Sequence, residues 1–300
     1  INAQGYATTG MISVVIGAIA NIVLDPLFIF MLNLGIRGAA IATVLSQCLS
    51  AGFVLYFLSK KAEYKVRLLY KEEIRTCEKD AKNIVSLGTA GFVMQLTNSL
   101  VSICCNNVLS ATGGDVYVSV MTIISSVRQM IETPIWSISE GSSPVISYNY
   151  GAKRPKKVIE AWITMSVLAL IYSLIAWSVI LFAPKFLIGI FSSDKSLMID
   201  TVPAMKLYFS AFIFMLFQYT GQTMFKSLNK KKQAIFFSIL RKVIIVVPMT
   251  YMFPYVFHMG SNGVFMAEPV SNVIGGSLCF IVMLLTVLPE LKQMNSDLSS

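Results

Sequence analysis

The chain has 300 residues, 55% of them hydrophobic and only 13% charged. Soluble globular domains carry about 25% charged residues, and a water-facing surface cannot be built from so few. With a mean hydropathy of +0.70 and a net charge of +9, the composition excludes an ordinary soluble domain and points to an integral membrane protein.

A membrane-spanning helix needs about 20 mostly apolar residues. Eight such segments follow one another, near 11–32, 38–58, 84–109, 116–139, 161–183, 203–225, 233–256 and 263–288. They predict an all-α membrane protein, a polytopic helical bundle. Strands are not expected, because the apolar runs are far longer than barrel strands and do not alternate. Glycines and prolines inside the segments, such as Gly17, Pro26, Gly88, Pro134 and Pro248, are tolerated in membrane bundles.

The first segment carries Asp25, with Asn21 four residues earlier on the same face. A chain turn is expected near Gly35, and Thr43 follows in the second segment. At 1.5 Å rise per residue, Asp25 and Thr43 lie roughly 15 and 12 Å from that turn. Asn21, Asp25 and Thr43 are therefore expected to converge in one layer between two antiparallel helices. A carboxylate, an amide oxygen and a hydroxyl form a set that can hold a hard cation or a proton. The bland alternative is that Asp25 only braces its polar neighbours.

Next comes a basic stretch, 59–82, with Lys60, Lys61, Lys65, Arg67, Lys71, Arg75, Lys79 and Lys82. It is read as a solvated, partly helical linker. A second basic group, Lys153, Arg154, Lys156 and Lys157, follows the fourth segment, and a third, Lys226, Lys230, Lys231 and Lys232, follows the sixth. These three stretches hold sixteen of the 24 Lys and Arg and fall on one side of the bilayer. The positive-inside rule makes that side cytoplasmic. Net charge is thus accounted for by topology, and no nucleic-acid partner is implied.

The fourth segment carries Arg128 and Glu132, spaced to neutralise one another, and Glu140 at its irregular end. All three are candidate cavity charges. Arg241 and Lys242, in the seventh segment, are either cavity cations or lie near its cytoplasmic end. Glu268 lies in the eighth segment, and an acid at membrane depth is a functional candidate. Cys48, Cys77, Cys104, Cys105 and Cys279 show no metal-ligand spacing, and His258 is the single histidine. They read as small buried thiols, with no cofactor implied.

A shift of 225 residues lays the first two segments on the last two. Phe28 meets Phe253, Gly35 meets Gly260, Gly38 meets Gly263, Ala42 meets Ala267 and Ser46 meets Ser271. Duplicated halves of this kind occur in many secondary transporters. The same shift sets Thr250 opposite Asp25 and Glu268 opposite Thr43, an acid-plus-hydroxyl pair with its roles exchanged. If each hairpin closes a six-helix half, segments one and two are helices five and six of twelve. Four helices are then expected before Ile1.

Two stretches carry a family resemblance: NIVLDPLFIFMLNLGIRGAAIATVLSQ at 21–47 and PIWSISEGSSPVISYNYGAKRPKKV at 134–158. Both resemble the multidrug and toxic compound extrusion (MATE) transporters, in their bacterial DinF-like branch. The resemblance implies twelve helices in two lobes around a central cavity. It assigns 1–58 to a remnant of the N-lobe, 59–82 to the inter-lobe linker and 83–300 to the C-lobe. It implies a monomeric multi-pass protein of the bacterial inner membrane, exporting organic, often cationic, drugs by antiport with sodium ions or protons.

The family's N-lobe cation site maps onto Asn21, Asp25 and Thr43, with Asp25 holding sodium if sodium is the coupling ion. Relatives with acids on the seventh and tenth helices are matched here only by Gln95, and by Gln218 and Gln222. A C-lobe polar site would have to use Glu268, with Thr250, Gln95 and Gln218 around it. A lipid-linked oligosaccharide flippase of the same superfamily is the alternative. It would need more basic cavity residues, for which only Arg128, Arg241 and Lys242 qualify. An intramembrane enzyme would need a nucleophile with its base or a metal set, and no HExxH or second histidine is present.

Overall fold

The computed structural model describes residues 1–66 and 78–297, and among these residues the regular structure is helical. The chain divides into two compact units, Ile1–Asp80 and Ala81–Ser300.

The first unit is a helical hairpin. Helix α1 (Ala7–Pro26) runs on through a π turn, Leu27–Met31, and α2 (Gly35–Lys60) returns alongside it. A proline that ends a regular helix removes one backbone donor, and a wider turn is a common local answer. Residues 61–66 are not helical. The middle of the expected linker, with Arg67, Lys71, Arg75 and Cys77, lies outside the described residues.

The second unit is built on α3 (Glu78–Gly151), which enters it at Ala81 and bends once, at Gly114, where φ is 67°. That bend divides it into limbs 78–113 and 115–151. Next come α4 (Pro155–Phe182), α5 (Pro184–Phe191), α6 (Lys195–Tyr208) and α7 (Phe214–Ser227). Then α8 (Lys231–Ile239), a π stretch Leu240–Val246 and α9 (Val247–Tyr255) form one continuous rod. Helix α10 (Ser261–Ser271), a π turn Asn272–Gly276 and α11 (Ser277–Asp297) form another.

Six of these rods are long and apolar enough to cross a membrane, and one of them is the bent α3. The segment expected at 203–225 is not one helix. It is broken at residues 209–213, where the bonds tighten to the i−3 type: Phe212 N–H donates to Phe209 O at 3.1 Å and Met215 N–H to Phe212 O at 3.0 Å. The indole of Trp177 also donates to the carbonyl of Phe209, at 3.0 Å, so that this oxygen accepts twice at the break.

Burial is reversed relative to a water-soluble protein. Ile36 and Phe182 are 92% and 87% exposed, while Glu268 and Lys242 are each 4% exposed. Apolar side chains outside and charges inside are what a hydrocarbon solvent selects. Many hydroxyls return to the carbonyl one turn back, as Ser46 to Ala42 at 2.7 Å and Thr112 to Val108 at 2.8 Å, which settles them without a neighbouring helix. Of the cysteines, Cys105 and Cys279 are buried as expected, but Cys48 is exposed.

The 225-residue repeat is reproduced in the backbone. Asn33 and Gly35 have φ of 52°, and their counterparts His258 and Gly260 have 54° and 56°. Leu32 N–H donates to Leu27 O at 3.0 Å and Leu34 N–H to Phe28 O at 3.1 Å; Phe257 N–H donates to Met252 O and Met259 N–H to Phe253 O, both at 3.1 Å. Each turn then admits its glycine against the opposite strand of backbone. A Cβ on Gly38 would fall 2.6 Å from the Phe28 carbonyl oxygen, and one on Gly263 would fall 2.8 Å from Phe253. Only glycine allows such an approach.

Candidate functional site

In the first hairpin, Asn21 Nδ2 donates to Asp25 Oδ1 at 3.2 Å. Both residues are half-buried. Asp25 sits directly before Pro26 and the π turn, so the carboxylate stands where α1 departs from regular geometry. Thr43 is not bonded to this pair. It is exposed, and its hydroxyl donates to Ala39 O at 2.9 Å.

The second unit holds the larger site, a cavity of about 610 Å³, within the range of small-molecule pockets. The first limb of α3 supplies Gln95, Asn98, Ser102 and Cys105 to its wall, and the second limb supplies Arg128, Glu132 and Trp136. These last three are spaced by four and form one stripe of the helix. Tyr208, Tyr219, Lys226, Lys242 and Glu268 complete the polar lining.

A charged network lies at one side of this cavity. Lys242 Nζ donates to both oxygens of Glu268, at 3.0 and 3.3 Å. Arg241 Nη1 lies 3.5 Å from Glu268 Oε1 and also bonds Asn272 Oδ1. Arg128 Nη2 is 3.5 Å from the same Glu268 oxygen. Arg128 Nε pairs with Glu132, and its Nη1 donates to Tyr208 Oη at 2.9 Å. Tyr219 Oη donates to the other Glu132 oxygen at 3.3 Å. One carboxylate thus serves three cations.

Consecutive residues of an α-helix point about 100° apart, yet Arg241 and Lys242 both reach Glu268. They stand in the π stretch Leu240–Val246, and Asn272 opens the π turn of the partner rod. Such turns are frequent at functional sites. Of the two places open to Arg241 and Lys242, the structure takes the interior one. Lys242 is eleven residues into the rod that starts at Lys231, roughly 16 Å along it, and both side chains are buried. The buried acid on the neighbouring rod draws them inwards.

The remaining expected residues scatter. Gln95 shares the cavity with Glu268. Gln218 donates weakly to Phe237 O at 3.5 Å, and its Oε1 is buried without a partner. It lines a small adjoining space with Gln222, Arg241 and Lys242. Thr250 belongs elsewhere: its hydroxyl donates to Val246 O at 2.8 Å and faces Cys105 Sγ at 3.8 Å. The exchanged acid-plus-hydroxyl pair therefore forms in neither hairpin. Glu140 accepts from Lys226 Nζ at 2.8 Å. Among the described residues, no three His, Cys, Asp or Glu side chains group as metal ligands.

The model of the MatE family matches residues 91–252, more than half of the chain. The chain belongs to the MatE family. The multidrug export protein MepA of Staphylococcus saprophyticus is 26% identical over 289 residues, covering 94% of this chain and 60% of that protein. MepA of Staphylococcus haemolyticus is 25% identical over 197 residues, covering 66% of this chain and 43% of that protein. The chain thus spans about half the length of these curated relatives. Among solved structures, a multidrug resistance MATE family transporter of the MOP superfamily, in its outward-facing conformation, superposes with a TM-score of 0.84 at 23% identity. That alignment covers 95% of this chain and 63% of the other. The architecture is therefore a MATE fold, that of a multi-pass membrane protein.

Proposed function

We propose that the chain works as part of a secondary active exporter of organic compounds, and not as an enzyme. The observation that carries this reading is a drug-sized, aromatic- and charge-lined cavity inside a MatE-family helical unit. The names of the MepA relatives agree with it. In this reading the first hairpin belongs to the N-lobe and the second unit is the C-lobe. The basic ends of the helices face the cytoplasm of a bacterial cell, and the complete transporter acts as a monomer.

Coupling is assigned to Asn21 and Asp25. An entering sodium ion or proton neutralises Asp25, whose carboxylate abuts Pro26 and the π turn. A charge change at a non-regular turn alters hairpin packing at low cost, because no uniform helix has to be broken. Alternating access then requires only that the cation and the exported compound bind the two states unequally. The test is ethidium efflux from cells expressing the complete gene, with sodium and pH varied independently. Asp25→Asn is expected to abolish the dependence on the driving cation. Wild-type efflux with unchanged cation dependence would overturn the assignment.

One observation supports a second reading. Arg128, Arg241 and Lys242, the three cations that a lipid-linked oligosaccharide flippase would need for a pyrophosphate, gather in the second unit. Translocation of a fluorescent lipid-linked oligosaccharide, with no efflux of ethidium, would favour it.

A further inference from the structure

The charges beside the cavity do not cancel. Three cations, Arg128, Arg241 and Lys242, meet two carboxylates, Glu132 and Glu268. The other pair at this cavity, Lys226 with Glu140, is balanced within itself. A surplus positive charge among buried helices is costly unless an anion accompanies it. Among the described residues, the two acids of this network are already committed. Glu268 is shared by all three cations, and the two oxygens of Glu132 are taken by Arg128 and Tyr219. Arg128 and Lys242 both line the open cavity, and Trp136 stands two turns from Arg128 on the same stripe. A guanidinium has five N–H donors; Arg128 directs three of them at Glu132, Tyr208 and Glu268 and keeps two for the oxygens of an anion.

We infer that this cavity binds an amphiphilic aromatic anion, its carboxylate, sulfonate or phosphate group on Arg128 and Lys242 and its rings against Trp136. The inference deepens the exporter reading, on which it rests, by naming the substrate class. An organic cation placed at the same depth meets the surplus of like charge and is disfavoured there.

The test is equilibrium dialysis of the full chain in zwitterionic nanodiscs against two probes of equal ring size, naphthalenesulfonate and naphthyltrimethylammonium. The sulfonate is expected to bind roughly tenfold tighter or more, the scale of one charge-assisted hydrogen bond. Lys242→Gln removes the surplus charge and is expected to erase that preference. Glu132→Gln enlarges the surplus and is expected to strengthen sulfonate binding. These opposite signs separate a charge effect from general misfolding, which would weaken binding in both variants. Equal or tighter binding of the ammonium probe, or unchanged sulfonate binding in Lys242→Gln, would overturn the inference. Efflux of ethidium and of the sulfonate from cells expressing the complete gene, measured alongside, separates the two claims. Efflux without sulfonate binding removes the anion site and leaves the exporter, whereas sulfonate binding without any efflux does the reverse.

Discussion

The two hairpins of this chain share a backbone and differ in chemistry. The turn at Asn33–Gly35 and the turn at His258–Gly260 agree in their positive φ angles, their closing hydrogen bonds and their glycine contacts. Yet the first holds a single acid, Asp25, half-buried beside one amide. The second holds Glu268 on α10, buried among three cations from the π stretch and α3. Backbone geometry in a duplicated hairpin is fixed by steric limits at a few glycines. Its polar residues answer only to what they face, so they can diverge freely.

The contrast is broken or sharpened most strongly at the two acids. Glu268→Gln leaves three cations, two of them buried, with one carboxylate and is expected to destabilise the second unit by about 3–5 kcal/mol. Asp25→Asn loses one hydrogen bond at a half-buried site and is expected to cost no more than about 1 kcal/mol. Thermal denaturation in a mild detergent measures both, and comparable losses would dissolve the distinction.

A smaller effect tests the shared backbone. Gly38→Ala and Gly263→Ala each place a methyl against the opposite chain, and each is expected to cost about 1–3 kcal/mol through forced displacement. Hydrogen exchange of the α1–α2 peptides and of the α9–α10 peptides should rise to a similar extent. A large response in only one hairpin would show that the repeat is not mechanical.

The smallest effect lies outside both hairpins, where a charge serves only local structure. Asp194 caps α6, accepting from the hydroxyl of Ser196 at 2.7 Å and from its backbone N–H at 2.8 Å. These bonds, the hydroxyl foremost, hold the carboxyl below its ordinary range. A depressed carboxyl contributes stability above its unfolded pKa and loses it as pH falls through the folded one. A slight fall in stability is therefore expected only below about pH 4. It should vanish in Asp194→Asn, which caps without titrating.

Much of this was legible in the residues. The apolar runs located the long helices, and the 225-residue shift located the duplicated turns because glycines at steric limits cannot drift. The i,i+4 spacing foretold the Arg128–Glu132 pair. What was not legible depended on contacts distant in sequence. Arg241 and Lys242 could be read at the cavity or at the cytoplasmic end, and only Glu268, 26 residues beyond Lys242, draws them into the interior. A signal was available: a lone acid in an apolar run requires a cation, and Lys242 lies mid-way along the neighbouring run. Thr43 carries no hydrogen bond to the Asn21–Asp25 pair because its hydroxyl donates to its own helix at Ala39 O, which depth along the helix does not foretell. The break at 209–213 was hidden because its residues, Phe209 to Ile213, are as apolar as a helix would be.

The oxygens of Glu268 have a last consequence. Helices in lipid gain nothing from excluding water between them, so directional polar contacts are disproportionately valuable as fasteners. Here one carboxylate ties limb 115–151 of α3, the π stretch at 240–246 and α10 into a single knot. A guest that takes Arg128 or Lys242 for itself loosens that knot as it arrives. In this unit, occupancy of the cavity and stiffness of its walls are one variable, and a cargo that binds here also sets how readily its container can move.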